Sequence, residues 1–403
     1  MTRPTLTRPL RVAHLTTVDS SLRFLLLPQL MAVQDDGGEV IGISAPGPWV
    51  EGLEAEGIRH LALPSSTRGM NVGADLRTAH EFWKLLRHQG IDVLHTHTPK
   101  PGVYGRVLGR LAGVPVVVNT VHGMYATEDD SRLKRAFVYT VEGLASRFSD
   151  AELIQSSEDL DLMTRLRVFQ NQKLRLLGNG VDLARFDPGL ITPENRATTR
   201  RDLEAGPNDI VVGMVGRLVA EKGYPELLEA MSRLDDRYLL VCVGPEDPEK
   251  SDGLRIDELS RTGTARVRFL GQRMDMPELY AAMDVFALPS HREGFPRAAM
   301  EAAAMGRPIV ATDIRGCRQV VEDGVNGLLV PARSPVDLAE AIARIGQDVD
   351  LRLAMGRRGA ERARRDFDER RVVATVIDTY NELIRSKAPA SPADSGTASE
   401  SET

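Results

Sequence analysis

Residues Leu288–Pro308 read LPSHREGFPRAAMEAAAMGRP. An apolar run ends near Pro289, and a polar loop follows with His291, Arg292 and Glu293. Pro296 suits the first helical position, where its missing N–H costs nothing. Helix formers then run to Met305, Gly306 suits the helix end, and Pro308 opens the next apolar run. The stretch predicts strand, loop, helix, strand. Glu293 falls in the loop at the helix mouth, and Glu301 about one and a half turns into the helix. Backbone N–H groups of Gly294 and Phe295 point to an anion site at the helix start. A ligand there could touch both carboxylates and the free N–H groups.

The same alternation extends along the whole chain of 403 residues. Strand-like runs are expected at Arg11–Thr16, Glu39–Ile43, Arg59–Leu63, Val93–Thr96, Pro115–Thr120, Ala151–Gln155 and Lys173–Leu177. A second series covers Ile210–Val215, Tyr238–Val243, Val267–Leu270, Val285–Leu288, Pro308–Ala311 and Gly327–Val330. Helical spacing separates several of them, as in Pro225–Leu234 and Pro277–Ala282. Continuous apolar strands with intervening helices imply parallel sheets covered on both faces, so the fold class is α/β. The two series meet at GNGVDLARFDPGLITP, residues Gly178–Pro193, which reads as a linker. The expected organisation is an arm over 1–9, a first lobe over 10–180 and a second over 181–367. A helical segment over 368–386 packs back on the first lobe, and a disordered tail covers 387–403.

Composition excludes other classes. Hydrophobic residues make up 42% and charged residues 27%, which is globular rather than fibrous or disordered. Basic and acidic residues number 51 and 57, a balance too mild to attract nucleic acid by bulk charge. Two cysteines form no disulfide framework, so a reducing compartment fits best. The start, MTRPTLTRP, has no apolar core of a signal peptide. The run Phe24–Val33, broken by Pro28, is far short of the roughly 20 residues of a membrane span. The expectation is a cytoplasmic protein, with peripheral contact at the inner membrane face as its only membrane association.

In open parallel sheets, ligands bind beyond the carboxyl ends of the strands, and two facing lobes make a cleft there. Neither G-x-G-x-x-G nor G-x-x-x-x-G-K-[ST] occurs after a strand, which disfavours a dehydrogenase or P-loop NTPase. A second loop supplies cations. In VVGMVGRLVAEKGYPELLEA, residues 211–230, a strand leads to Gly216 and Arg217, then Lys222, then a helix primed by Pro225. Two cations five residues apart on such a loop suit a diphosphate.

Arg217, Lys222 and the pair Glu293–Glu301 (E-x7-E) resemble the signature of retaining GT-B glycosyltransferases of family 4. The resemblance spans nearly the whole chain. The stretches HLTTVDSSLRFLLLPQL and HTHTPKPGVYGRVLGRLAGVPVVVNTVHG fit the subgroup that builds capsular, exopolysaccharide and related cell-surface glycans. The family implies two Rossmann-like lobes, a nucleotide-diphosphate sugar as donor and a glycan, often lipid-linked, as acceptor. It implies that Arg217 and Lys222 hold the donor diphosphate with Gly216 beside them. Glu301 would bond the ribose and Glu293 the sugar hydroxyls, with the backbone of Gly294 and Phe295 assisting. Base contacts come from the loop with Gln272 and Arg273. His122, in VHG, matches the family histidine facing the donor sugar. The leaving phosphate takes the acceptor proton, and neither metal nor cofactor is implied. One departure is the first loop, TTVDSSLRF, which lacks the family's Gly-Gly pair; Asp19, Ser20 and Ser21 suit capping of the next helix instead. A second is Arg315–Cys317, RGC, where glycine-rich versions are common.

Other features have simpler readings. His95 and His97 face one side of a strand, but no third zinc ligand lies nearby in sequence. Asp159 and Asp161 imitate a metal-binding D-x-D, but sit in a helical pattern. Gly102, Gly105, Gly109 and Gly113 suit close helix packing, while Lys100 on the preceding loop suits an acceptor phosphate. Arg132, Lys134 and Arg135 form a basic helix face that suits anionic lipid. Two rival functions remain at this stage: a GT-B UDP-sugar epimerase, and a silent nucleotide-sugar-binding protein.

Overall fold

The structure, a computed structural model, describes residues 8–387 apart from 68, 70, 98, 127–129, 249, 251 and 261–265. The expected tail beyond Lys387, most of the arm 1–9 and Thr98 lie outside the described residues. Among the described residues, thirteen strands form two all-parallel sheets. The first holds β1 (Arg11–Val18), β2 (Glu39–Ala45), β3 (Arg59–Ala62), β4 (Val93–His97), β5 (Val116–Val121), β6 (Ala151–Ile154) and β7 (Leu174–Leu176), in the order β3-β2-β1-β4-β5-β6-β7. The second holds β8 (Ile210–Val215), β9 (Tyr238–Val243), β10 (Arg266–Phe269), β11 (Val285–Leu288), β12 (Ile309–Thr312) and β13 (Gly327–Val330), in the order β10-β9-β8-β11-β12-β13. The α/β class with two lobes is therefore what the chain forms.

These residues make these strands because their apolar runs are buried on both faces. In the first sheet, Val12, Val93, Val116 and Val118 pack under helices Leu27–Asp35 and Glu369–Lys387. The opposite face, with Ala13, Leu15, Leu94 and Val117, packs under Val72–Gln89 and Pro99–Leu111. The second sheet is covered likewise, by Arg297–Ala304 on one side and Tyr224–Met231 with Pro335–Gln347 on the other. The last helix buries Val372, Val376, Tyr380 and Leu383 on the first lobe. Each such side chain contributes about 1.5–3 kcal/mol of transfer free energy, which is what holds that helix down.

Local details differ from expectation in two places. Pro296 caps the helix rather than entering it, so helix Arg297–Ala304 starts one residue late and Glu301 lies about one turn in. Its extended backbone (φ −71°, ψ 108°) is the conformation that a residue just outside a helix adopts. In the first loop, Ser20 and Ser21 do not cap. Asp19 accepts the N–H of Ser20 at 2.8 Å and of Trp49 at 2.7 Å, tying the loop to the segment after β2.

The chain passes between the lobes twice at one place. Val181 N–H donates to Phe367 at 2.9 Å, and Glu369 N–H donates to Val181 at 3.3 Å. Across the cleft the lobes meet again. A Cβ on Gly294 would lie 1.9 Å from the His122 carbonyl oxygen, so only glycine allows this backbone contact. Arg315 reaches Asp159 at 3.0 Å and the Met124 carbonyl at 3.2 Å.

Candidate functional site

The loop after β8 is pressed against the loop after β11. Gly223 has φ +78°, and a Cβ there would lie 2.1 Å from the Pro289 carbonyl oxygen. Any side chain would push the loops apart. Their closeness puts Lys222 Nζ 2.5 Å from Glu293 Oε1, which also accepts from Ser290 Oγ at 2.7 Å. Arg217 pairs with Asp247 while its side chain keeps 38% exposure, so it can still meet a ligand. Arg292 lies 4.9 Å above the Tyr125 ring and 3.3 Å from Glu221, joining the lobes over the site. Together these groups border a cavity of about 360 Å³, lined by Arg217, Lys222, Glu293 and Gly294 from one lobe and by Asn119, His122 and Tyr125 from the other. That size suits part of a drug-sized ligand.

Of the sequence-expected residues, Arg217, Lys222, Glu293, Gly294 and His122 line this one cavity. The others stand elsewhere. Glu301 accepts from Tyr280 O–H at 2.9 Å and lies 3.4 Å from Arg297 Nε; burial raises its pKa above the usual carboxylate range. Gly216 flanks the Lys222 stem and accepts the Tyr224 hydroxyl at 2.7 Å. The Phe295 ring packs edge-on against Phe367 at 5.9 Å, and Phe295 is not among the residues lining the cavity. Gln272 and Arg273 are exposed, and Arg273 is held by Asp275 at 2.5 Å. Lys100 is held by Asp75 at 2.6 Å and by the carbonyls of Thr67 and Gly69, which links these three residues.

Beneath the cavity, the first sheet carries a polar layer on each face at its carboxyl edge. On one face, Arg106 is fully buried against Glu152 at 2.8 Å and against Glu142. Asn119 donates to Glu152 at 2.7 Å and accepts from Thr96 at 2.7 Å. On the other face are His14, His95, His97 and His122. His14 is in register with His95, so the third histidine that the H-x-H pair lacked in sequence is on β1. Nitrogens of His14, His95 and His97 lie within 4.8 Å of one another. Asp159 and Asp161 do not converge: Asp159 is buried against Arg315, and Asp161 is exposed. Both cysteines are buried, and burial raises their pKa values.

Burial lowers the pKa of His14 to about 3 and of His122 to about 4, and lowers His95 and His97 well below 6.5. The unfolded chain therefore takes up protons below about pH 6.5 that the native state refuses. Their contribution to stability is complete above about pH 6.5 and is lost as pH falls towards the folded values. The urea midpoint should drop between about pH 7 and about pH 5. A flat midpoint over that range would show that these rings are not held neutral.

Glu221, Tyr125, Asn119 and Arg292 were not singled out from sequence as site residues. Arg292 adjoins Glu293 in the motif loop, which was the available signal. Glu221 adjoins Lys222 in the same way, while Asn119 and Tyr125 meet these groups only when the lobes face each other.

The profile for glycosyl transferases group 1 matches residues 195–362, and that for a glycosyl transferase 4-like domain matches residues 29–180. The chain is 29% identical to the Escherichia coli UDP-Gal:alpha-D-GlcNAc-diphosphoundecaprenol alpha-1,3-galactosyltransferase, over 85% of this chain and 88% of that protein. It is 30% identical to the D-inositol 3-phosphate glycosyltransferase of Corynebacterium glutamicum, over 73% of this chain and 72% of that protein. Among solved structures, Anabaena Alr3699/HepE in complex with UDP and glucose superposes with a TM-score of 0.78 at 22% identity, covering 93% of this chain and 100% of that one.

Proposed function

Because the chain belongs to the GT-B glycosyltransferases, with a glycosyl transferase 4-like domain followed by a glycosyl transferases group 1 domain, we propose that it transfers a sugar from a nucleotide-diphosphate sugar to a hydroxyl of a lipid-linked glycan. The sugar would keep its anomeric configuration, and neither metal nor cofactor would be needed. The observation that carries this reading is the convergence of Arg217, Lys222 and Glu293 on one interlobe cavity. As the donor bond breaks, negative charge grows on the departing diphosphate. Arg217 and Lys222 are fixed cations where that charge would develop, and such groups stabilise it without reorganising. Glu293, already oriented by Lys222 and Ser290, would accept from sugar hydroxyls. Glu301, with Tyr280, would meet the ribose. The diphosphate oxygen would take the proton of the acceptor hydroxyl. The named activity of the Escherichia coli relative, transfer to a diphosphoundecaprenol-linked sugar, supports the acceptor class.

Purified protein incubated with a panel of nucleotide sugars and a polyprenyl-diphosphate-linked sugar should form one α-configured product from an α-linked donor, at a rate unchanged by EDTA. An inverted product, or loss of activity with EDTA, would sink the mechanism. Conversion of donor without acceptor would indicate epimerisation.

No described helix is long and apolar enough to cross a membrane. Helix Arg132–Ala145 nevertheless exposes Leu133 at 84% and Phe137 at 70%, with Arg132 and Lys134 beside them. Apolar and basic side chains on one exposed helix suit an anionic lipid surface. Leu133→Asp combined with Phe137→Asp should abolish sedimentation with anionic vesicles while leaving turnover on a short-chain acceptor unchanged. Undiminished sedimentation would rule out this helix as the contact.

A further inference from the structure

We propose that Gln155 and His97, with His14 and Tyr380 behind them, are positioning residues, which hold His122 as the neutral tautomer with its proton on Nδ1 and its Nε2 accepting. The kinetic part of this proposal rests on the cavity being the transfer site; the tautomer part does not.

The histidine nitrogens form one continuous series. His122 Nδ1 lies 3.2 Å from Gln155 Oε1, and its Nε2 lies 3.2 Å from His97 Nδ1. His97 Nε2 is 3.0 Å from His14 Nδ1, and His14 Nε2 is 3.4 Å from the Tyr380 hydroxyl. That hydroxyl is 2.5 Å from His95 Nδ1, and His95 Nε2 is 2.7 Å from Thr120 Oγ1. His14, His95 and His97 have no solvent exposure, and Tyr380 has 2%. Every ring nitrogen in the series has a partner.

A neutral imidazole has one donor and one acceptor, so a single assignment propagates along the whole series. The Gln155 oxygen can only accept. His122 must therefore donate from Nδ1 and accept at Nε2. His97 then donates from Nδ1 and accepts at Nε2, and His14 does the same. The Tyr380 O–H donates to His14 and accepts from His95 Nδ1–H, while Thr120 O–H donates to His95 Nε2. Six donors meet six acceptors with none left over. Reversing any one ring would set two donors, or two lone pairs, against each other, and at His14, His95 and His97 no solvent reaches the mismatch.

Three nitrogens this close also invite a metal. A metal would need one nitrogen from each of His14, His95 and His97, and each is already committed within the series. The series instead leads to the cleft. His122 lines the cavity, and its backbone carbonyl abuts Gly294 of the donor-side loop. A ring held in one tautomer fixes the surface against which that loop closes.

The test uses the full chain labelled with ¹⁵N-histidine. Imidazole nitrogen spectra at neutral pH should show the Nδ1–H tautomer for His14, His95, His97 and His122, the form less favoured by free histidine in water. Tyr380→Phe removes the link between His95 and His14, and Gln155→Met removes the acceptor that sets the direction. Gln155→Met should give mixed tautomers at His122 and lower kcat about tenfold with donor KM unchanged, whereas Tyr380→Phe should mix the tautomers of His14 and His95 first. Nε2–H tautomers in the unaltered protein would overturn the assignment, as would stoichiometric bound metal. Normal kcat in a variant with mixed tautomers would overturn the positioning role. If the protein shows no transfer at all, the spectra still decide the tautomer, so failure of the functional reading is separable.

Discussion

Lys222→Met should reduce transfer turnover by about 10²–10³-fold, the usual effect of deleting one preorganised charge at a transition state. Donor KM should change less than kcat, because the departing diphosphate carries more charge than the bound ground state. The effect has a structural side too. Glu293 keeps only 9% side-chain exposure, and without Lys222 the donor still facing it is the Ser290 hydroxyl. A carboxylate left in that position would be desolvated without its cation, so some loss of stability should accompany the loss of rate. The two can be separated in Lys222→Met/Glu293→Gln. That variant should recover thermal stability but no turnover. Turnover within a fewfold of normal in Lys222→Met would remove Lys222 from the mechanism.

Arg106→Leu should destabilise the first lobe by about 3–5 kcal/mol, the usual cost of removing one partner from a buried ion pair. Arg106 and Glu152 have no exposed side-chain surface, and Glu142 has 16%. Removing the cation leaves two carboxylates in the interior, so the penalty comes from their desolvation rather than from lost attraction. Calorimetry should show the first lobe melting on the order of 10 °C earlier. Adding Glu152→Gln and Glu142→Gln should restore part of the loss, since neutral amides need no counter-charge. A melting point unchanged by Arg106→Leu would mean that water or another cation reaches those carboxylates.

The strands were legible because a parallel sheet covered on both faces needs uninterrupted apolar runs. Ile210–Val215, Tyr238–Val243, Val285–Leu288 and Gly327–Val330 have the expected bounds. The Arg217, Lys222 and Glu293 set was legible because each residue follows a strand end within one lobe. What sequence spacing hides is partnership across long separations. Lys100 reads as a free cation beside the cleft, yet it pairs with Asp75, which helix Val72–Gln89 brings in. His95 and His97 read as a pair because His14 lies 81 residues earlier and joins them only through strand register. Glu301 matches the motif spacing, but its partners Tyr280 and Arg297, one of them 21 residues earlier, are not apparent from it.

The paired crossing at Val181 and Phe367–Glu369 has a mechanical consequence. Two adjacent backbone segments, bonded to each other, form a pivot, and a pivot permits rotation about one line while resisting shear. Away from it, Gly294 meets His122 and Arg315 meets Asp159 across the cleft. Swinging the lobes apart would break those contacts and widen the cavity. The last helix starts at the pivot and lies on the first lobe, so Tyr380 would travel with His14 and His97. The histidine layer would thus stay assembled through each opening, ready when those contacts re-form.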